Sequence, residues 1–515
     1  VPTPDAAGRP GLRLDPTGRG TTWALAALGT LLSALGSWHV SLWSDEAATI
    51  SAAQRGYGDL LRMVDHIDAV HGTYYALMHP WVALVGTSPL GLRLPSALAA
   101  GAAVAGVHVL AGRLAGPRVA LLAALVTALL PRVTWAGIEA RPFALAMALG
   151  VWATVLLEAA VRRGGGARWA GYAVLLGLGA AVNMYVALLG VGHALTLVAL
   201  RERRVVRPFL VSAVGAAVIA APVLALAAGQ GGQLGVQRRG VLGLPRDVLV
   251  DQWFLGETPT PTTASGAAGV DLLDPATAWK PAAVLLALVG WSLVATTLLR
   301  RARHRELVAW AVPWLVVPPV AVLAASVASP DLYNSRYFAI CAPALGLLIG
   351  GALAGLRTRA AIAAAAALAV LVAPVYASQR TVGAKSGADW SMVAAELSGR
   401  THAGDAVYFG PRDDLVDGVA KRSLRTASIA YPEPYRGLVD VTLIDSPARG
   451  ATLFGTSAAL ATRVDRLADV DTLWVVRRQD RPAEGEADDR LLAGLGFTVV
   501  DTWDGPQTQV VELRR

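Results

Sequence analysis

The stretch TWALAALGTLLSALGSWHVSLWSDE, residues 22–46, decides how the rest of the chain is read. Residues 22–42 contain no Asp, Glu, Lys or Arg and are long enough to cross the hydrocarbon core of a bilayer. The run then ends at two adjacent carboxylates, Asp45 and Glu46. Arg9, Arg13 and Arg19 precede it, which puts the N-terminus in the cytoplasm. The run is too long for a secretory signal and lacks the small-residue cleavage pattern, so it reads as a retained span. The two acids therefore emerge on the outer side of the membrane.

Eleven further apolar runs follow, at about 73–88, 92–111, 118–135, 142–160, 168–183, 185–200, 208–228, 280–299, 307–327, 336–356 and 360–377. Hydrophobic residues make up 54% of the chain and charged residues 16%, with a mean hydropathy of +0.49. A soluble domain carries about 25% charged residues, so soluble, disordered and fibrous classes are excluded. The arginine clusters at 162–168, 201–207, 300–305 and 357–359 read as cytoplasmic loops. Residues 168–200 must then cross twice, turning near Asn183-Met184-Tyr185. Twelve runs would return the C-terminus to the cytoplasm, whereas an inside N-terminus with an outer tail needs an odd number. The conflict sits between 72 and 118, where one run is a surface or re-entrant helix or one segment crosses twice. The reading is thus a polytopic α-helical membrane protein with an odd number of spans, about 11–13. Residues 1–21 form a disordered cytoplasmic N-terminus. Residues 22–377 form the membrane domain, with a first outer loop at 43–71 and a long one at 229–279. The net charge of +8 and pI of 9.9 reflect these topological arginines and give no reason to expect nucleic acid. Arg occurs 42 times and Lys 3 times, a bias that fits a GC-rich, actinobacteria-like genome. Cys341 is the only cysteine, so no intramolecular disulfide forms.

The tail, 378–515, has 17 basic and 20 acidic residues and reads as a small extracytoplasmic α/β domain. A helix opens at Asp389-Trp390 and runs to about Ser398. Strand 405–409, a polar helical stretch, strand 439–444, a helix near 456–468, strand 472–477 and a helix at 486–495 follow. DGPQ (504–507) turns a final hairpin. No Gly-rich phosphate loop or clustered acid pair assigns chemistry to this tail.

The first outer loop is chemically the richest segment. After Asp45 and Glu46 come His66, Asp68, His71, Tyr74 and Tyr75, and three of the eight histidines fall between His66 and His79. A carboxylate at the membrane–water boundary can deprotonate an acceptor hydroxyl, or bind a divalent cation such as Mg²⁺ or Mn²⁺ that neutralises a phosphate. It can equally cap a helix or simply end a span in water. His66 and His71 are five residues apart and do not share a helical face as a zinc pair would. Arg141, in GIEARPF (137–143), and Arg336, in YNSRYF (333–338), lie at outer span ends, against the topological bias. A forked guanidinium there can hold a phosphate; it can also pair with ordinary headgroups or with Glu139.

The acidic pair after span one, the paired tyrosines, GTSPLGLRLPSALAAG (86–101), GIEARPFAL (137–145), the NMY turn (183–185), SRYFAICAPALGLLIG (335–350) and ADWSMVAAELSGRTHAGDAVYF (388–409) occur in an order that resembles one family across nearly the whole chain. It is the GT-C superfamily of integral-membrane glycosyltransferases, in the bacterial branch related to protein O-mannosyltransferases and aminoarabinose transferases. The resemblance implies a polyprenyl-phosphate sugar donor, a glycan, lipid or protein acceptor outside the cytoplasm, and inversion at the anomeric carbon. It carries Asp45 over as the catalytic base or acceptor-positioning carboxylate and Glu46 as its neighbour, with Arg141 and Arg336 as candidates for the lipid-phosphate side; His66, Asp68, His71, Tyr74, Tyr75, Tyr185 and Tyr337 are further candidate substrate contacts. The branch often has His-Pro-Pro before its tyrosines, and here Val70-His71-Gly72-Thr73 stands instead, which leaves sugar and acceptor open. Mannose is the favoured sugar and arabinose or another pentose the alternative. A lipid or glycan transporter and a non-catalytic scaffold are the other classes. The absence of an internal repeat and the gathering of polar residues outside the membrane speak against the transporter.

Overall fold

The computed structural model describes residues 18–230, 243–256, 277–327, 332–410, 419–420, 423–479 and 485–515. The expectations for the segment before residue 18, for most of the loop 229–279 with its Gly-rich piece, for much of the loop 328–335 and for the polar stretch after Phe409 lie largely outside these residues.

Helix α1 (Arg19–Ala34) runs on through a 3₁₀ turn to His39, and after a bend of 99° the chain enters α2 (Ser44–Ala53). Two loop helices, α3 (Tyr57–His66) and α4 (Gly72–Val85), lead to α5 (Pro89–Ala115). Then come α6 (Pro117–Leu129), α7 (Pro131–Gly137), α8 (Phe143–Arg163), α9 (Gly166–Val182), α10 (Ala187–Ala199) and α11 (Val206–Ala228). A short α12 (Gly243–Arg246) and a π-helical segment, Asp247–Leu255, precede α13 (Trp279–Leu299) and α14 (Arg305–Ala325). A 3₁₀ stretch, Ser335–Cys341, starts α15 (Ala342–Ala354), and α16 (Thr358–Ser378) completes the bundle.

Among the described residues seven helices are long and apolar enough to cross a membrane, nine when the bent pairs α1/α2 and α6/α7 each count once. Counting the shorter apolar helices α9 and α10 as well brings the candidates to eleven, an odd number. The run 73–88 is the one that does not join them. It is α4, 14 residues with Pro80 inside, and it packs with α2 and α3 around Ile50, Met63, Tyr75 and Met78. An apolar run of that length suits a buried loop helix as well as a span.

Ion pairs identify the two ends of the bundle. Glu158 of α8 pairs with Arg113 of α5 at 3.0 Å and with Arg162 at 2.5 Å, and Arg162 reaches Glu306 of α14 at 2.5 Å. Arg118 donates to the Leu356 carbonyl at 2.7 Å. The arginine-bearing ends thus share one face, and Asp45, Arg141 and Arg336 meet at the other. In a bilayer, helices associate through close packing of small residues, since lipid tails remove the hydrophobic drive. A Cβ on Gly101 would lie 2.1 Å from Thr30 Oγ1 and 2.4 Å from the Ala26 carbonyl, so α5 needs glycine to touch α1.

The tail forms a five-stranded sheet of order β3-β1-β6-β8-β7 and a three-stranded sheet of order β2-β5-β4. The strands are β1 (Ala406–Phe409), β2 (Val419–Ala420), β3 (Val439–Asp440), β4 (Leu443–Asp445), β5 (Thr456–Ala458), β6 (Thr472–Arg478), β7 (Thr498–Asp504) and β8 (Thr508–Arg514). Strands β3, β1 and β6 run parallel; β6, β8 and β7 run antiparallel. Helices α17 (Trp390–Leu397) and α19 (Glu486–Gly494) fall where the alternation places them, and between them α18 (Arg425–Ala430) packs on α2. Two expectations are corrected. The strand at 439–444 is divided between the sheets, and 456–468 is no helix but β5 followed by 3₁₀ turns. Thr456 and Ser457 spend their backbone groups on the second sheet, where short hydroxyl side chains compete with helix formation.

Candidate active site

Asp45 lies in the first turn of α2, and its neighbours come from three distant segments. Asp45 Oδ2 is 2.9 Å from Arg336 Nη1 and 4.0 Å from Arg141 Nε. Arg141 occupies the turn between α7 and α8; this turn is fixed to α2 from both sides. Thr49 donates to the Ala140 carbonyl at 2.9 Å, and the Ala140 N–H donates to Glu46 at 3.0 Å. Arg336 comes from the 3₁₀ stretch before α15 and lies over the rings of Trp43, Phe143 and Tyr337 at 5.3, 5.9 and 5.9 Å.

Arg141 is held by the loop before α4. Asp68 has φ +60°, a left-handed conformation that aspartate tolerates better than most residues. Its Oδ1 is 2.6 Å from His71 Nδ1, and its Oδ2 accepts the Tyr75 hydroxyl. With Nδ1 protonated toward Asp68, His71 offers Nε2 to Arg141 Nη2 at 3.0 Å. Arg141 Nη1 donates to Tyr75 Oη at 2.9 Å and to the Asp45 carbonyl at 3.4 Å. Asp68, His71 and Tyr75 therefore form a bracket for one guanidinium.

The electrostatics follow from the packing. Burial raises the Asp45 carboxyl pKa, but the charges of Arg141 and Arg336 outweigh burial and leave it below its ordinary value. Burial acts against Asp68 too, and His71 and Arg141 still bring it down to about 2. Burial and the Arg141 charge lower His71, which is neutral at pH 7. Burial pushes the Tyr75 phenol up, so it remains a donor.

Three of the residues expected at the site lie outside this cluster. Glu46 is fully buried and takes both prongs of Arg93, at 2.7 and 2.5 Å. It fixes α2 to α5 and does not face the Asp45 side. His66 is exposed on the last turn of α3, its Nδ1 2.8 Å from the Arg62 carbonyl. Tyr74 points away from the bracket into a cavity of about 140 Å³, lined also by Met78, Trp81, Pro95 and Leu145. Tyr185 and Tyr337 stack at 5.3 Å and continue the aromatic wall beside Arg336. Trp43 and Phe143, which complete that wall, and Arg93 were missed. Arg93 had a signal, a charge inside an apolar run; the two rings had none, since their role depends on segments 100 to 300 residues apart meeting.

Among the described residues no three His, Cys, Asp or Glu side chains come together as a metal site. Nearest Asp45 are the guanidiniums of Arg141 and Arg336 and the His71 imidazole, which accepts from Arg141, with the Asp68 carboxylate against His71.

Comparison with known proteins points the same way. Residues 73–226 match the family model described as dolichyl-phosphate-mannose-protein mannosyltransferase. The crystal structure of ArnT from Cupriavidus metallidurans in the apo state superposes with a TM-score of 0.61 at 13% identity, over 96% of this chain and 98% of that one. ArnT from the same organism bound to undecaprenyl phosphate superposes with a TM-score of 0.59 at 14% identity, over the same shares of the two chains. No curated protein matches the chain in sequence. The chain thus shares the fold of ArnT over nearly its whole length, and residues 73–226 resemble the mannosyltransferase family.

Proposed function

We propose that the chain transfers a sugar, mannose by preference, from a polyprenyl-phosphate donor to a hydroxyl on the outer side of the cell membrane. The observation that carries the reading is one partly exposed carboxylate between two guanidiniums at the end of the bundle opposite the arginine clusters. In this reading Asp45 accepts the acceptor hydroxyl's proton as the oxygen attacks the anomeric carbon. The bond from that carbon to the phosphate oxygen breaks, configuration inverts, and polyprenyl phosphate leaves with one more negative charge. In this reading Arg141, fixed by Tyr75 and His71, and Arg336 carry that charge, and donors held in position cost no reorganisation as it develops. The mannosyltransferase match over 73–226 favours mannose, and the undecaprenyl phosphate bound by ArnT favours a polyprenyl carrier. Asp45→Asn keeps the volume and removes the base. Transfer of radiolabelled mannose from polyprenyl-phosphate mannose should fall at least about a hundredfold, the usual range for losing a general base, at unchanged protein level. Near-normal transfer by the variant would remove Asp45 from the chemistry.

A further inference from the structure

We propose that Lys385 is a positioning residue of the site: through Glu139 it sets the turn that carries Arg141, and so makes the link between bundle and tail part of the phosphate side. The inference rests on the glycosyl-transfer reading and adds to it a residue that acts through another.

Lys385 belongs to the segment 379–389, between α16 and α17. Its side chain and that of Glu139 are both fully enclosed, at 0% exposure, with Lys385 Nζ 3.5 Å from Glu139 Oε2. The ammonium also lies 4.2 Å from the centre of the Trp135 ring on α7. Lys385 therefore meets both α7 and the turn that follows it. Glu139 and Arg141 share that turn, and the Arg141 N–H donates to the Glu139 carbonyl at 2.8 Å. Between them, Ala140 is bound to α2 through its N–H and its carbonyl. Helix α2 thus holds one side of the turn and Lys385 the other, and a shift at Glu139 reaches Arg141 over two peptide units.

The link keeps its path by other contacts. The Val382 carbonyl accepts the Ser41 N–H at 3.0 Å, and Gln379 donates to the Pro131 and Leu255 carbonyls at 3.0 and 2.8 Å. At its far end Asp389 accepts from the N–H groups of Gln507 and Thr508 at 2.8 and 2.9 Å. Stability does not account for the pair either. Enclosing two charges costs desolvation, and apolar residues of similar volume often serve as well or better. What a buried pair can supply is a fixed register between the segments it joins. Here one of those segments is the turn that presents a guanidinium to Asp45 and to the donor's phosphate.

The test uses the full-length, detergent-purified protein and undecaprenyl phosphate as the probe, with binding and melting measured on the same preparations. Lys385→Met combined with Glu139→Gln removes the tether and leaves no uncompensated buried charge. This double variant should melt close to wild type and bind the probe about tenfold more weakly, within the range of couplings between residues in one network. In an Arg141→Ala background the same two changes should alter affinity less than about twofold, because the guanidinium they position is gone. An equal loss in both backgrounds would show that the pair only supports the fold, and wild-type affinity in the double variant would show that the turn needs no tether; each result overturns the proposal while leaving sugar transfer standing. Failure of wild type to bind the probe at all would remove the glycosyl-transfer reading and this inference with it. If Arg141→Ala binds too weakly to titrate, Arg141→Lys takes its place with the same expectation, since a flexible ammonium depends little on the turn that carries it. If the double variant does not accumulate as folded protein, Lys385→Gln with Glu139→Gln supplies the same comparison.

Discussion

At the scale of single residues, Asp45 and Glu46 differ by one position in a helix and by everything in their surroundings. Glu46 is enclosed with Arg93, whose Nη1 also donates to the Val40 carbonyl at 2.8 Å. Removing one partner of such a buried pair leaves an uncompensated charge, which costs about 3–5 kcal/mol. Glu46→Gln should therefore lower thermal stability in detergent, whereas Asp45→Asn should lose turnover and leave the melt nearly unchanged; comparing the two melting curves checks the split. The bracket adds a pH dependence. His71 is lowered from its ordinary value of 6.5 by burial and Arg141, so below about pH 6.5 the unfolded chain takes up a proton that the folded protein resists. Stability should fall as pH drops through that window, by at most about 1.4 kcal/mol per pH unit, and be flat above it. Asp68, already down at about 2, keeps its contribution above its ordinary 3.8 and loses it only as pH approaches 2, so it does not blur the window. Melting curves of wild type and His71→Gln between pH 5 and 7.5 should show a shallower slope in the variant. Both acids and both arginines stood out in the sequence as charges at span ends. Which acid is structural was not legible, because that depends on Arg93 approaching from α5, 47 positions away.

At the scale of elements, α2 is the part on which the others converge. Its inner side is tied to α5 and the α7–α8 turn, and its outer side to the tail domain. The Leu42 N–H donates to the Tyr431 hydroxyl at 2.8 Å, Ser51 donates to the Leu453 carbonyl at 2.5 Å, and Arg55 donates to the Thr452 carbonyl. Ala427 and Ala430 of α18 share a buried cluster with Ala47 and Ile50 of α2. Tyr431→Phe leaves that cluster intact but strips a partner from a backbone N–H, at a cost of about 1–3 kcal/mol. It should lower the melting temperature and also reduce transfer severalfold, since Leu42 lies three residues before Asp45; unchanged transfer per folded molecule would show that α2 keeps its place without the tail. Helix α4 illustrates the limit of reading elements from composition. Its 14 residues are as apolar as a span, and only the partners supplied by α2 and α3 mark it as a loop helix.

For the molecule as a whole, eleven candidate spans with the arginine clusters at one end predict a cytoplasmic N-terminus and an outer tail. A periplasmic-type reporter fused after Arg515 should be active and a cytoplasmic one silent; the reverse pattern would invert the topology. The bundle was legible because hydropathy and arginine asymmetry are strong signals carried by whole segments. The tail was legible where strands are long, as at β6, β7 and β8, and misread near 456–468, where three-residue strands depend on partners rather than on their own pattern. The shortness of α9 and α10 matters to the surrounding lipid. At 17 residues, and 16 for the helical stretch Met184–Ala199 that includes α10, they span roughly 24–26 Å against a hydrocarbon core of about 30 Å. Lipid adapts to such a mismatch by thinning locally. Their outer turn carries Tyr185, stacked on Tyr337 beside Arg336. A bilayer thinned in that way on this flank would bring a headgroup anchored by a long chain closer to the arginine.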